Sequence, residues 1–207
     1  MRISKVGGEV NITINGTKIE QVKSFKYLGH TMTDDGRCEN EINSRTAQAK
    51  EAFGDRKELL TKSLEKSTKV KIVKTLVWTK LLYGSETWTL KKEDIRKLEA
   101  LEMWLWRRME KISWKDRISN EVVLRRVGVE REMITMLSSR KKRWIRHVLR
   151  GDGLLKEVIE GRMEGSKPRG RPRLGMLDDL ITASYVDMKR KAEDREGWKS
   201  YVPWTCR

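Results

Sequence analysis

Two short segments near the N-terminus alternate hydrophobic and polar residues, the pattern of a β-strand with one buried face. They lie within residues 10–22 on either side of Asn15-Gly16. Asn-Gly is preferred in the type I′ turn of a hairpin because both of its residues adopt positive φ. The pattern therefore predicts a β-hairpin. A further extended segment, interrupted at Gly29, is predicted over residues 25–32, and so few strands indicate a small, incomplete sheet.

From about residue 39 onward, hydrophobic residues recur every three or four positions, which is the period of a helix with one buried face. Residues 151–175 contain six glycines and two prolines and are predicted to form a linker or loop. The predicted fold class is therefore mostly α, with a small β element at the N-terminus. Helices are predicted over residues 39–60, 66–83, 90–112, 119–127, 130–150 and 177–188.

The chain carries a high proportion of charged residues and a large positive net charge. Charged and hydrophobic residues each make up 37% of the 207 residues, and the formal net charge is +16. Residues 136–173 alone contain 12 Lys/Arg and 4 Asp/Glu, which is half of that net charge. Such a field attracts polyanions, so nucleic acid is the leading partner class. The alternative is a lysine-rich surface that only keeps the protein soluble.

Cysteine and histidine are too sparse for a disulfide framework or a zinc module. The chain has two of each, and they are isolated in sequence, so no metal site is proposed. No apolar run approaches the length of a membrane span, and the N-terminus lacks the hydrophobic segment of a signal peptide. The sequence predicts an intracellular protein, in the nucleus and the cytoplasm, that does not bind membranes.

Several short motifs occur together in an order that is similar to one family, the endonuclease/reverse transcriptase polyproteins of LINE-like non-LTR retrotransposons. The resemblance covers about residues 8–182 and corresponds to the C-terminal part of such an RNA-directed DNA polymerase. The motifs are the N-terminal hairpin, Phe25-Lys26-Tyr27-Leu28-Gly29, Asp35-Gly36, a helix with Ile42 and Arg45, Leu82-Tyr83-Gly84-Ser85-Glu86-Thr87-Trp88, Arg107-Arg108-Met109, Ile112-Ser113-Trp114, Arg125-Arg126-Val127-Gly128, Arg143-Trp144, His147-Val148, Gly170-Arg171-Pro172-Arg173 and Asp178-Asp179.

The resemblance implies a division of the chain and a role for its first part. Residues 1–36 would be a palm remnant, 37–90 a helical thumb, 91–150 a C-terminal helical region, 151–175 a basic linker, and 176–207 a terminal helix and tail. The residues with a primer-grip-like role would be Phe25, Lys26, Tyr27, Leu28 and Gly29. Five basic residues of the thumb could contact duplex phosphates or merely face solvent, namely Arg45, Lys50, Lys69, Lys71 and Lys74.

The resemblance also implies that residues 8–182 do not include the catalytic aspartates of the polymerase. In the family, the aspartates that hold Mg²⁺ lie upstream of the region matched here, so no catalytic residue is assigned and no cofactor is expected in this chain. Asp34-Asp35 and Asp178-Asp179 are paired but stand in the wrong context for a polymerase site. The expected partners are an RNA template, a DNA primer or target, and the palm, fingers and endonuclease domains of the parent polyprotein.

Two basic segments are the other candidate nucleic-acid ligands. The first is a helical face with Arg140, Lys141, Lys142, Arg143, Arg146 and Arg150. The second resembles an AT-hook, in which prolines keep the backbone extended and two arginines enter a narrow A·T-rich minor groove. A loop that contacts only phosphate is the alternative for this segment. Its residues are Lys167, Arg169, Gly170, Arg171 and Arg173.

The sequence leaves alternatives for the role of the tryptophans and for the function of the chain. The tryptophans are expected to pack in the core rather than stack on bases, namely Trp78, Trp88, Trp104 or Trp106, Trp114 and Trp144. The favoured function is a truncated reverse transcriptase fragment that binds primer, template or target without polymerising. The alternative is a stand-alone DNA-binding adaptor, or a retroelement remnant without a selected function.

Overall fold

A computed structural model describes residues 1, 3, 10–61, 63–161, 174–181 and 184–200. The chain divides into two compact units: unit 1 comprises Met1–Gly84 and Glu93–Arg131, and unit 2 comprises Ser85–Lys92 and Glu132–Arg207. The described residues are mostly helical, and two short antiparallel strand pairs precede the helices. This architecture confirms the predicted fold class. None of the described helices is both long enough and apolar enough to cross a membrane.

The N-terminal strands form two hairpins. The first confirms the prediction, since Asn15 and Gly16 have φ of 50° and 79° as a type I′ turn requires. The extended segment predicted over residues 25–32 is interrupted at Gly29 as expected, but the interruption is a turn at Leu28-Gly29 at which the chain reverses and pairs with itself. The strands are β1 (Thr13–Ile14), β2 (Thr17–Lys18), β3 (Ser24–Tyr27) and β4 (His30–Thr33).

Six helices follow in unit 1. A π-helical segment, Val73–Val77, joins α3 to α4, so the predicted helix over 66–83 is nearly continuous. The predicted helix over 39–60 instead breaks at Arg56, and a separate short helix carries the buried Leu60. The helices are α1 (Glu39–Asp55), α2 (Lys57–Thr61), α3 (Lys66–Ile72), α4 (Trp78–Leu81), α5 (Lys92–Met109) and α6 (Asn120–Val127).

The core of unit 1 is built from the stripes that the helical periodicity predicted. Each fully buried aliphatic side chain contributes about 1.5–3 kcal/mol relative to exposure. Trp78 and Trp106 are buried as expected and their ring centroids lie 6.1 Å apart. Trp114 was predicted to be buried, but 83% of it is exposed. Core residues of α1, the π-helical segment, α4 and α5 include Ile42, Ala49, Val73, Val77, Leu81, Leu98, Leu101 and Leu105.

Unit 2 is smaller, and its described residues form four helices. Its core is formed by Ile145, Leu149, Leu180, Met188, Ala192 and Trp198, and Trp144 packs against this cluster. Trp88, also in unit 2, is fully buried as predicted. The helices are α7 (Met133–Arg150), α8 (Leu154–Glu160), α9 (Tyr185–Glu193) and α10 (Arg195–Ser200).

Two predictions for unit 2 need correction. The stretch that was predicted to be a loop contains α8, whose apolar residues Leu154, Leu155, Val158 and Ile159 recur at helical spacing within a short segment flanked by glycines. The last helix was predicted from about residue 177, but residues 176–180 form turns and the helix begins at Tyr185. Ser184 sets this start, because its Oγ accepts a hydrogen bond from the Asp187 N–H at 3.1 Å.

Candidate nucleic-acid interface

The turn between β3 and β4 exposes the residues that the sequence marked as primer-grip-like. Side chains of Phe25, Tyr27 and Leu28 are 51%, 56% and 74% exposed. Leu28 has a φ of 48°, a left-handed conformation that costs a non-glycine residue about 1–2 kcal/mol. An exposed apolar residue in strained backbone must therefore be held by its surroundings.

Two side chains hold the carbonyl groups of this turn. Arg45 of α1 donates from Nη2 to the carbonyl oxygen of Gly29 at 2.6 Å. The Tyr83 hydroxyl donates to the carbonyl oxygen of Leu28 at 3.4 Å. The Arg45 guanidinium also lies over the Tyr83 ring, 4.7 Å from its centroid, in a cation–π contact. These contacts tie the turn to α1 and to the end of α4.

Glu41 completes this cluster from one turn earlier in α1. Its Oε1 accepts from Arg45 Nε at 2.7 Å, and the two residues share a face because they are four positions apart. Its Oε2 accepts from the Thr31 N–H at 2.7 Å. His30 Nδ1 lies 3.2 Å from Oε1. We call Glu41, Arg45 and Tyr83 the turn clamp.

The Glu41–Arg45 ion pair of the turn clamp is shielded from water. Glu41 and Arg45 are 1% and 5% exposed. Burial raises the pKa of the Glu41 carboxyl, but hydrogen bonds from Thr31 and Arg45 and the nearby charges of His30 and Arg45 outweigh burial, so this pKa lies below its usual range. Glu41 is therefore held as a carboxylate that fixes both the β4 backbone and Arg45.

Arg45 was one of five thumb residues that the sequence offered as possible phosphate ligands, and that interpretation is wrong. Its guanidinium is buried and committed to Glu41 and Gly29. The sequence contained a usable signal for the clamp, because Glu41 and Arg45 continue the buried stripe of α1 with Ala49 and Ala52. Charged residues on a buried stripe indicate a paired internal site.

The basic face of α7 in unit 2 is less uniform than the sequence suggested. Arg143 and Arg150 are exposed, whereas Arg140, Lys142 and Arg146 are half-buried. Lys142 lies over the Trp198 ring, 5.8 Å from its centroid, and burial lowers the pKa of its amine. Arg143 and Arg150 are thus the residues of this helix best placed to reach phosphate.

Lys141 was predicted to bind nucleic acid, but it is fully buried. Its ammonium donates to Asp179 Oδ1 at 2.8 Å, to Asp179 Oδ2 at 2.7 Å and to the Trp88 carbonyl oxygen at 3.0 Å. These acceptors use all three donors of the amine. Lys141 is therefore a structural residue that joins α7 to the segments on either side of it within unit 2.

Both aspartate pairs that resemble polymerase carboxylates take part in local structure. Asp35 accepts hydrogen bonds from the Thr33 hydroxyl and the Arg37 N–H. Asp178 accepts from the Gly175 N–H at 2.6 Å, and Asp179 binds Lys141. The AT-hook-like residues Lys167, Arg169, Gly170, Arg171 and Arg173 lie outside the described residues.

Comparison with known proteins gives one informative similarity. No family model matches the chain, and no solved structure matches it. The chain is 26% identical over 137 residues to a Caenorhabditis elegans protein described as uncharacterized and transposon-derived. The match covers 65% of this chain and 49% of that protein, so the chain spans about half the length of the relative it matches. The similarity supports a transposon-related origin for this chain.

Proposed function

We propose that this chain derives from the reverse transcriptase of a non-LTR retrotransposon and binds nucleic acid, holding a recessed primer end at the β3–β4 turn. The observation that carries the proposal is the turn clamp, which fixes a strained turn and leaves Phe25, Tyr27 and Leu28 exposed at its tip. The similarity to a transposon-derived protein supports the origin. RNA template and DNA primer are the proposed partners.

The side chains at the tip of the β3–β4 hairpin are of types that can bind the end of a nucleic-acid strand. Phe25 and Tyr27 are two positions apart on β3 and so project from the same face of the hairpin. Aromatic rings stack on an unpaired or terminal base whatever its identity. Lys26, on the opposite face, adds a positive charge that can reach the sugar-phosphate backbone. A turn already fixed by buried contacts loses little conformational entropy when it binds.

Positive charge supplies the remaining affinity. With a net charge of +16, the chain gains free energy by releasing counterions from nucleic acid of any sequence. Arg143 and Arg150 are exposed contributors in unit 2. This term sets overall affinity but does not distinguish a strand end from continuous duplex. A preference for a recessed end must therefore come from the tip.

The test compares a labelled DNA primer annealed to a longer RNA template, so that the primer 3′ end is recessed, with a duplex of the same base-paired length whose RNA overhang of equal length leaves the primer 5′ end recessed instead. We expect tighter binding to the recessed 3′ end in fluorescence anisotropy, and we expect Phe25→Ala/Tyr27→Ala to remove that preference without weakening binding to the second duplex. Ile12→Ala/Ile14→Ala is the matched control, since both residues are exposed apolar residues at the neighbouring hairpin. Equal affinity of the parent chain for both duplexes would favour the adaptor alternative instead.

A further inference from the structure

A cleft in unit 1 is lined by residues that the sequence did not predict as ligands, although Lys50, a possible phosphate ligand, lies 5.5 Å from the ring centroid of Trp104 in its lining. Its volume is about 910 Å³. Five of the described residues that line it are basic and none is acidic, which gives the cleft a positive field. The basic residues are Lys57, Arg107, Arg108, Lys111 and Arg117.

Aromatic rings form the other part of the lining. Phe53 and Trp104 meet edge to face with ring centroids 5.6 Å apart. The Arg108 guanidinium lies 5.3 Å from the centroid of the Trp104 ring. Trp114 also lines the cleft and is 83% exposed, the most exposed large apolar side chain of the described residues. An exposed tryptophan beside several cations combines a ring on which a base can stack with positive charge that attracts phosphate.

The loop that carries Trp114 is held in a defined conformation. Lys111 and Arg117 on either side of it have φ of 56° and 48°, which is unfavourable for residues with side chains. A capping box at Ser113 and Asp116 fixes the turn between them. Arg107 donates from Nη2 to the Ile118 carbonyl oxygen at 2.6 Å and so anchors the end of the loop. Trp114 is exposed on an ordered turn and is not a side chain displaced from the core.

We infer that this cleft binds single-stranded nucleic acid, with an unstacked base against Trp114 and its phosphates against the surrounding lysines and arginines. Single strands are recognised by aromatic platforms within a cationic groove, which is the combination present here. A duplex cannot use it, because its bases are already stacked on each other. The inference rests on the proposed nucleic-acid-binding function but assigns a site separate from the β3–β4 turn.

The first experiment measures binding of a fluorescein-labelled oligothymidine and of a blunt duplex to the full chain. We expect Trp114→Ala to weaken oligothymidine binding by about tenfold or more and to leave duplex binding unchanged. Trp114→Phe should retain most of the affinity, since it keeps an aromatic face. Unchanged oligothymidine binding by Trp114→Ala overturns the inference.

The charge requirement has its own matched control. Lys57→Ala/Arg108→Ala removes two cations of the cleft, and Lys80→Ala/Arg125→Ala removes two exposed cations of unit 1 outside it. The first pair should weaken oligothymidine binding several-fold more than the second. Equal effects would show only general electrostatic attraction and reject the site.

Photo-crosslinking tests the site on the unmodified chain, so the result does not depend on the folding of a variant. A bromouracil-substituted oligonucleotide should crosslink to the peptide that contains Trp114. Adducts found only elsewhere overturn the inference. So does a result in which Trp114→Ala abolishes binding to phosphatidylserine vesicles while oligothymidine binding persists, which would make the cleft a membrane-docking site.

The two proposals can fail separately. Phe25→Ala/Tyr27→Ala should keep the Trp114-dependent oligothymidine binding, because the β3–β4 tip does not line the cleft. Loss of the recessed-end preference with intact Trp114 dependence rejects only the primer-end proposal. A recessed-end preference without Trp114 dependence rejects only the cleft.

Discussion

Arg45 donates a hydrogen bond from its guanidinium Nη2 to the carbonyl oxygen of Gly29 at 2.6 Å, which joins a buried helical face to the tip of a hairpin. The residues are 16 positions apart, and Gly29 has a φ of 77°. The same guanidinium binds Glu41 and stacks on Tyr83. This connection explains how an exposed, strained turn keeps one conformation.

Removal of Arg45 should destabilise the protein strongly, because it leaves the Glu41 carboxylate buried without its main partner. We expect Arg45→Ala to cost about 3–5 kcal/mol in the free energy of unfolding measured with urea. Arg45→Lys should recover only part of this loss, since an ammonium lacks the fork that reaches both Glu41 and Gly29. Lys71→Ala, at an exposed position, should change stability by no more than about 0.5 kcal/mol. A small effect of Arg45→Ala would contradict the clamp.

The turn clamp should make stability depend on pH in the acid range. The pKa of Glu41 is lowered in the folded chain, so its stabilising contribution is complete above the ordinary value of 4.5 and is lost as the pH falls through the lower folded pKa. Unfolding free energies from about pH 7 to about pH 3 should show the parent's advantage over Glu41→Gln shrinking on acidification. Glu51→Gln, exposed on the same helix, should differ little from the parent throughout. A constant advantage over Glu41→Gln would refute the shift.

Substitution of Lys141 and substitution of the exposed arginines of α7 should have opposite effects on stability and on the salt dependence of binding. Lys141→Met removes the partner of Asp179 and should cost about 1.5–3 kcal/mol of stability while leaving the salt dependence of binding unchanged. Arg143→Ala/Arg150→Ala should preserve stability and flatten the slope of log K against log salt by roughly 0.9 per lost phosphate contact. Titrations of duplex DNA at several salt concentrations measure the slope, and unfolding in urea measures the stability. A flatter slope for Lys141→Met would mean that its amine reaches phosphate after all.

The AT-hook-like segment remains a prediction from sequence, and base composition tests it. If Arg169 and Arg171 enter the minor groove, the parent chain should prefer A·T-rich over G·C-rich duplex, because the guanine amino group blocks the groove floor. Arg169→Lys/Arg171→Lys keeps the charge but loses the flat guanidinium groups, so the A·T preference should disappear while G·C binding persists. Equal affinity of the parent for both duplexes would leave a loop that contacts only phosphate.

Local patterns predicted most of the secondary structure, and their failures have physical reasons. The dipeptide Asn15-Gly16 correctly predicted a turn, because both residue types tolerate positive φ. At Gly29 an interruption was predicted but not the reversal at Leu28-Gly29, because a leucine adopts a positive φ only when other parts of the chain hold it there. The helix break at Arg56 likewise follows from packing, since no proline marks the site and the only nearby glycine, Gly54, lies inside α1.

The sequence by itself determined the helical stripes, the N-terminal hairpin, the positive charge and the resemblance to a retrotransposon polyprotein, because each depends on spacing or residue type alone. Only the tertiary structure decided which cations and aromatics are available to a ligand. Arg45 and Lys141 have the same charge in the sequence as Arg143, yet the first two are themselves buried and paired with Glu41 and Asp179. Trp114 and Trp106 are the same residue type, but one is exposed and the other buried. Accessibility depends on contacts between distant segments, which no local pattern encodes.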